Sequence, residues 1–322
     1  MKVKDIFEFA TKLGVSADPR GKIGVSKHLE RVKKQYDGLS EKDKEFFDTD
    51  KLTNPYTDGG IHVDDGKTQV KRVMAGIDIN EGEILLASQL NERGKKIDLV
   101  IAHHPEGKGL SNLHEVMEMY SDVYPLHGVP VHIAERLTDE RIREVGRGTH
   151  PINHFKTIDI AKHLGINLIN THTITDNLVD KFIKEYLEKN KPETVGEIVD
   201  CLMLLPEYQL ARKNGFGPKI VSGAPNHRVG KIMIEMTGGT NPSAKVYQQF
   251  SQFGVSTIVG MHMREDAIKN AGESHMNIVI AGHMSSDSLG MNLFLDELEK
   301  LGIDVVACGG LMRFSRVKKG KK

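Results

Sequence analysis

Only two cysteines occur in the 322 residues, Cys201 and Cys308, and no Cys-x-x-Cys pair is formed. That excludes a disulfide framework and gives no support to a zinc ribbon. Long apolar runs are also missing. No stretch approaches the roughly 18 apolar residues of a membrane span, and the first residues, MKVKDIFEFATKLG, read as an amphipathic helix. Net charge is absent, with 44 basic against 44 acidic residues. Without a net positive field the simplest argument for a nucleic-acid or membrane-surface partner falls away. There is no Gly-x-Ser-x-Gly nucleophile motif. TGGTNPSAK (237–245) lacks the Gly-Lys-Ser/Thr ending of a phosphate loop, so its glycines are read as serving a tight turn. The expectation is a reduced, cytoplasmic compartment, with no membrane and no nucleic-acid partner.

What is present is a globular composition, 39% hydrophobic and 27% charged, in a chain long enough for one large or two ordinary domains. Residues 1–65 are charge-rich and helical in pattern, with a Ser-x-x-Asp capping signal at Ser40. They are read as a helical N-terminal extension. From about residue 70, short β-branched runs alternate with helical ones. VKRVMAGIDI, IDLVIAHH, VPVHIAE and INLINTHT read as strands, with helices between them. That rhythm predicts a mainly parallel α/β architecture. A second set of runs, KIVSGAP, RVGKIMIEMTGG and VSTIVGMH, predicts a second α/β unit, followed by MNIVIAGH and IDVVACGG. The lysine-rich tail, RVKKGKK, is read as a frayed end.

Three of these strands end in the same chemistry. IDLVIA runs into His103 and His104, INLINT into His172 with Asp176 four residues on, and MNIVIAG into His283 with Asp287 four residues on. In open α/β sheets, ligands collect beyond the carboxyl ends of strands. Successive strand side chains point to opposite faces, so two adjacent imidazoles splay, and splayed ligands suit two metals better than one. Pro105 marks the end of that strand. A helix is expected to start near Ser285 or Ser286, putting Asp287 in its first turn, close enough to His283 to share one metal or bridge two. THTITD is read as a loop. Asp176 is favoured there as the ligand, because paired hard divalent metals want carboxylates among the histidines. His172 is then either a partner to a ligand or substrate-facing.

The combination HHP (103–105), HT-x-x-D (172–176) and GH-x-x-x-acid (282–287) resembles the Nif-three-like dinuclear metal-binding family. Its members are often labelled GTP cyclohydrolase I type 2 homologues. The resemblance spans about 240 residues, from GIDI at 76–79 to VVACGG at 305–310. It implies two α/β domains with mainly parallel or mixed sheets, the second inserted into the first. The boundaries expected are 66–188 and 273–322 for the metal-binding domain and 189–272 for the insert. It also implies a homohexamer with two divalent ions per chain on His103, His104, Asp176, His283 and Asp287, the last bridging both. There are two departures. Asp287 stands where the family has Glu, one methylene longer, so bridging calls for a shifted backbone or a water. Gly260, His262 and Asp266 only partly reproduce a family stretch near the substrate. The N-terminal extension and HHPEGKG resemble a longer subgroup.

Mixed nitrogen and oxygen ligands without sulfur fit Fe, Zn, Mn, Co or Ni. Such a pair of ions suits hydrolysis of a small nucleotide-like or phosphorylated substrate. Glu106, just past the histidine pair, is the candidate general base, with His172 beside it as a second catalytic candidate. Lys108 is a candidate phosphate contact. The alternative is a metal-binding scaffold or trafficking protein that turns nothing over. An open coordination position separates the two readings, since a scaffold site is free to be closed by protein ligands.

Overall fold

The computed structural model describes residues 1–318; residues 319–322, which complete the lysine-rich tail, lie outside the described residues. Among the described residues nine strands form two sheets: β1 (Gly59–Val63), β2 (Arg72–Gly76), β3 (Leu99–Ala102), β4 (Leu168–Thr171), β5 (Lys219–Ser222), β6 (Lys231–Glu235), β7 (Val255–Gly260), β8 (Asn277–Ile280) and β9 (Asp304–Cys308). The first sheet has the order β1-β4-β3-β2-β9, the second β5-β8-β7-β6. Pairing is parallel except for β1 with β4 and β5 with β8. The chain builds four strands of the first sheet, then all of the second, and returns to the first with β9. This is the expected mixed α/β class with one unit inserted in the other. No helix among the described residues is long and apolar enough to cross a membrane.

β3 explains the sheet's burial. Its four residues, Leu-Val-Ile-Ala, are all fully buried. Leu99 and Ile101 join the core that includes Ile6, Ile174 and Phe294, while Val100 and Ala102 join the opposite core with Ile84, Ile158 and Ala161. A strand covered by helices on both faces has no polar side to alternate with, hence the unbroken apolar run.

Four local expectations differ. The segment read wholly as helical extension also carries β1, which closes the first sheet's edge against β4. VPVHIAE is not a strand but the start of the helix Val131–Thr149. There Ala134, Thr138 and Arg141 are buried at helical spacing, and that longer period overrides the short β-branched run. Residues 277–280, grouped above with the first unit, form β8 and pair within the second sheet. The late helix spans His283–Lys300, beginning before Ser285. The Ser285 and Ser286 hydroxyls donate back to the Gly282 carbonyl instead of capping amides. Gly282, at φ +115°, supplies the turn from β8 into the helix.

Candidate metal centre

The ladder runs one step past Ala102: His103 and His104 amides donate to Gly76 and Ile77 carbonyls at 2.9 and 3.0 Å. The two rings are tilted by 45° to each other, with centroids 5.1 Å apart. β4 leads directly into the helix His172–Asn190, so THTITD is a helix start and not a loop. His172 and Asp176 lie one turn apart on it, as His283 and Asp287 do on the later helix. The two helices meet at Gly290, where a Cβ would collide with the Thr175 carbonyl oxygen. A residue without a side chain lets two carboxylates on different helices reach one space. The third strand end comes from the second sheet, so the cluster sits between the two units.

Two sets of atoms result. His104 Nε2 lies 3.4 Å from His283 Nε2 and 3.4 Å from Asp287 Oδ2, and His283 Nε2 lies 3.2 Å from that same oxygen. His103 Nε2 lies 3.4 Å from Asp176 Oδ1 and 3.6 Å from Asp287 Oδ1. Ligands about 2.1 Å from an ion, at octahedral to tetrahedral angles, stand about 3.0–3.5 Å apart. The sets share Asp287, whose two oxygens face different ones. Asp287, though shorter than Glu, thus reaches both sets with the backbone as it stands. Among the described residues, His103 Nε2, Asp176 Oδ1 and both Asp287 oxygens are buried with no hydrogen-bond partner. Buried polar atoms are nearly always satisfied, and four orphans facing one space fit a cation. A third grouping, His103 with His104 and His172, also brings one ligand atom of each residue within 4.8 Å of the others.

Partners behind the cluster set the protons. The Thr175 hydroxyl donates to the Thr171 carbonyl at 2.8 Å, so it accepts from His103 Nδ1 at 2.9 Å, and His103 Nε2 keeps its lone pair. Burial lowers the His103 pKa to about 4. Asp78 accepts from His104 Nδ1 at 2.7 Å, and Asp58 from His172 Nδ1 at 2.7 Å. Burial opposes the charged form of His104, but Asp287 and Asp78 outweigh it and raise the pKa to about 9. The two central carboxylates split. Burial and the charges of Asp287 and Asp58 push Asp176 well above the ordinary range. Burial also acts to raise Asp287, but the surrounding histidines hold it well below. Carboxylate–histidine pairs of this kind orient metal-ligating imidazoles.

His103, His104, Asp176, His283 and Asp287 thus converge, and His172 joins them. Glu106 does not line the cleft over the cluster. It lies beside Thr157, and burial raises its pKa to about 7. Lys108 is bound to Asp48 at 2.7 Å. The TGGTN turn does reach the cleft, through Thr237, Gly239, Thr240 and Asn241. Asp58, Asp78, Thr175 and Glu235 were not singled out in the sequence. Asp78 carried a readable signal, since it closes the GIDI strand end as the histidines close theirs.

No protein-family model and no curated protein sequence matches the chain. Solved structures do. A NIF3 superfamily protein from Sphaerobacter thermophilus is 32% identical, with a TM-score of 0.69, over 79% of this chain and 92% of that one. Reduced HcgD from Methanocaldococcus jannaschii is 14% identical, with a TM-score of 0.49, over 83% of this chain and 94% of that one.

Proposed function

The chain belongs to the NIF3 superfamily, and we propose that it is a hydrolase dependent on two divalent ions, acting on a small nucleotide-like or phosphorylated substrate. His103, Asp176 and Asp287 hold one ion; His104, His283 and Asp287 hold the other. The reading rests on one observation: two ligand sets share a carboxylate whose oxygens are both buried and unpartnered. When bound, such ions activate water and polarise the group under attack.

The chain's own residues do the rest. Thr175 and Asp78 keep the protons of His103 and His104 on Nδ1, so Nε2 of each faces the centre. Asp58 does the same for His172, which lines the cleft and is placed to touch a substrate. Each set would offer three protein atoms to an ion, and water and substrate would complete its coordination. Assembly into a homohexamer and a cytoplasmic setting belong to the same proposal.

One observation favours the alternative of a non-catalytic metal-binding or metal-trafficking protein: Glu106, the expected base, lies outside the cleft. The test is metal content by elemental analysis, on protein purified without an affinity metal column, with Asp287→Ala alongside. About two ions per chain, falling in the variant, support the centre. Turnover in a screen of phosphoesters, nucleotides and amides then separates hydrolase from scaffold. Absence of metal, with none taken up on addition, overturns both.

A further inference from the structure

The cleft over the cluster is about 390 Å³. Away from the ligand side chains its wall is apolar, through Leu113, Met236 and Met261, or polar and uncharged, through Thr237, Thr240 and Asn241. Among the described residues no lysine or arginine lines it. Its one further acid, Glu235, is buried and accepts from the Tyr247 hydroxyl at 2.8 Å. Burial raises that carboxyl to about 8, so Glu235 adds no full charge to the wall at neutral pH. Beyond the reach of the two ions, a phosphate chain laid along such a wall would be desolvated with no lysine or arginine to meet it.

His262 adds direction. The Asn241 side-chain nitrogen donates to the His262 carbonyl at 3.0 Å, which fixes the orientation of the amide. Asn241 Oδ1 therefore faces His262 Nδ1, at 3.0 Å, and an oxygen there only accepts. In the neutral ring the proton is then on Nδ1, and Nε2 carries the lone pair. No described protein group hydrogen-bonds Nε2, and the ring lines the cleft with its centroid 4.6 Å from that of His283.

We propose that this cleft takes a compact, uncharged ring amide, whose carbonyl sits at the metal end and whose N–H donates to His262 Nε2, and that it rejects nucleoside di- and triphosphates. The inference rests on the dinuclear reading above and narrows its nucleotide-like substrate to a base-like ring. In the reaction, water adds across the ring amide. The carbon–nitrogen bond breaks, the water oxygen goes to the carbonyl carbon, one proton goes to the nitrogen and the other leaves with the new carboxyl group. No oxidant or second substrate is needed.

The test is calorimetric binding to metal-loaded protein with three probes: glutarimide, N-methylglutarimide and GTP. Glutarimide should bind at least tenfold more tightly than either of the others. In His262→Leu, with metal content unchanged, glutarimide and its N-methyl form should bind alike. Asn241→Leu, which frees the imidazole to move its proton, should reduce the same discrimination. GTP binding as tightly as glutarimide overturns the proposal. So does a metal-loaded protein that binds neither ring, or full discrimination retained in His262→Leu. A chain that takes up no metal fails the dinuclear reading instead, and elemental analysis tells the two failures apart. If His262→Leu does not fold, the wild-type comparison of the three probes decides.

Discussion

His103 Nε2 faces Asp176 Oδ1 across 3.4 Å, deep in the protein, and neither atom hydrogen-bonds any described residue. Leaving such a pair unmet costs about 1–3 kcal/mol per group. A cation between them removes that cost. His103→Ala should therefore drop one of the two ions, taking metal content from about two per chain to about one. Asp287→Ala, which cuts into both sets, should take it lower still. Elemental analysis checks this, with circular dichroism showing that the variants remain folded. Unchanged stoichiometry in both variants would remove the assignment.

Asp78 acts through His104. Its oxygen lies 2.7 Å from His104 Nδ1, and its side chain is half exposed, so replacement by Asn disturbs packing little. The charge lost is the one that orients and strengthens the imidazole as a ligand. Asp78→Asn should weaken one of two metal-binding steps by about tenfold, without moving the melting temperature of the metal-free protein by more than about 2 °C. A competition titration with a chelator reads both steps. Equal affinities in wild type and variant would make Asp78 a surface charge only.

Gly290 holds the two ligand helices together. Adding a methyl group there drives it into the Thr175 carbonyl oxygen, on the turn that also carries Asp176. Gly290→Ala should cost about 1–3 kcal/mol of stability. It should also lower metal affinity, because Asp176 and Asp287 move apart. Denaturant unfolding with and without chelator separates the two effects. A variant with normal stability and normal metal binding would show that the helices have room to part.

Glu235 makes stability depend on pH. Burial raises its folded pKa to about 8, above the value near 4.3 of an unfolded Glu. Between those values the folded chain holds a proton that the unfolded chain has lost, so stability falls as pH rises and levels off above about 8. Asp180, raised by burial to about 7, adds a loss of the same sign. Glu235→Gln should flatten the curve between pH 5 and 8.5, ending more stable than wild type at the upper end by on the order of 5 kcal/mol. Unfolding curves at several pH values test it. Parallel curves for the two proteins would place the Glu235 carboxyl in water.

The three strand ends were legible because their signal is local. An apolar run of four or more residues marks a buried strand, and a histidine at its end is placed where α/β sheets gather ligands. Asp58 carries no such mark, and Asp78 shares only the position at a strand end. Each becomes a partner only because the fold brings it to an imidazole 114 or 26 residues away. The helix starts are hidden in the sequence for a related reason. Serine hydroxyls at 285 and 286 look like caps in sequence, yet both turn back to the Gly282 carbonyl once the strand has delivered them.

The order of apolar runs and breakers determined, by itself, that this is an α/β protein with histidines and aspartates at strand ends. Periodicity is a property of neighbours, and neighbours are what a sequence records. Which of those side chains meet was decided by tertiary structure. β8 joins the second sheet, its helix crosses the His172 helix at Gly290, and only that crossing sets the two oxygens of Asp287 against two different groups of ligands. The same packing aims Asn241 at His262 and so chooses which ring nitrogen keeps the proton. Distances of 3–4 Å between residues a hundred positions apart are fixed by how helices and sheets pack, and no local pattern encodes them.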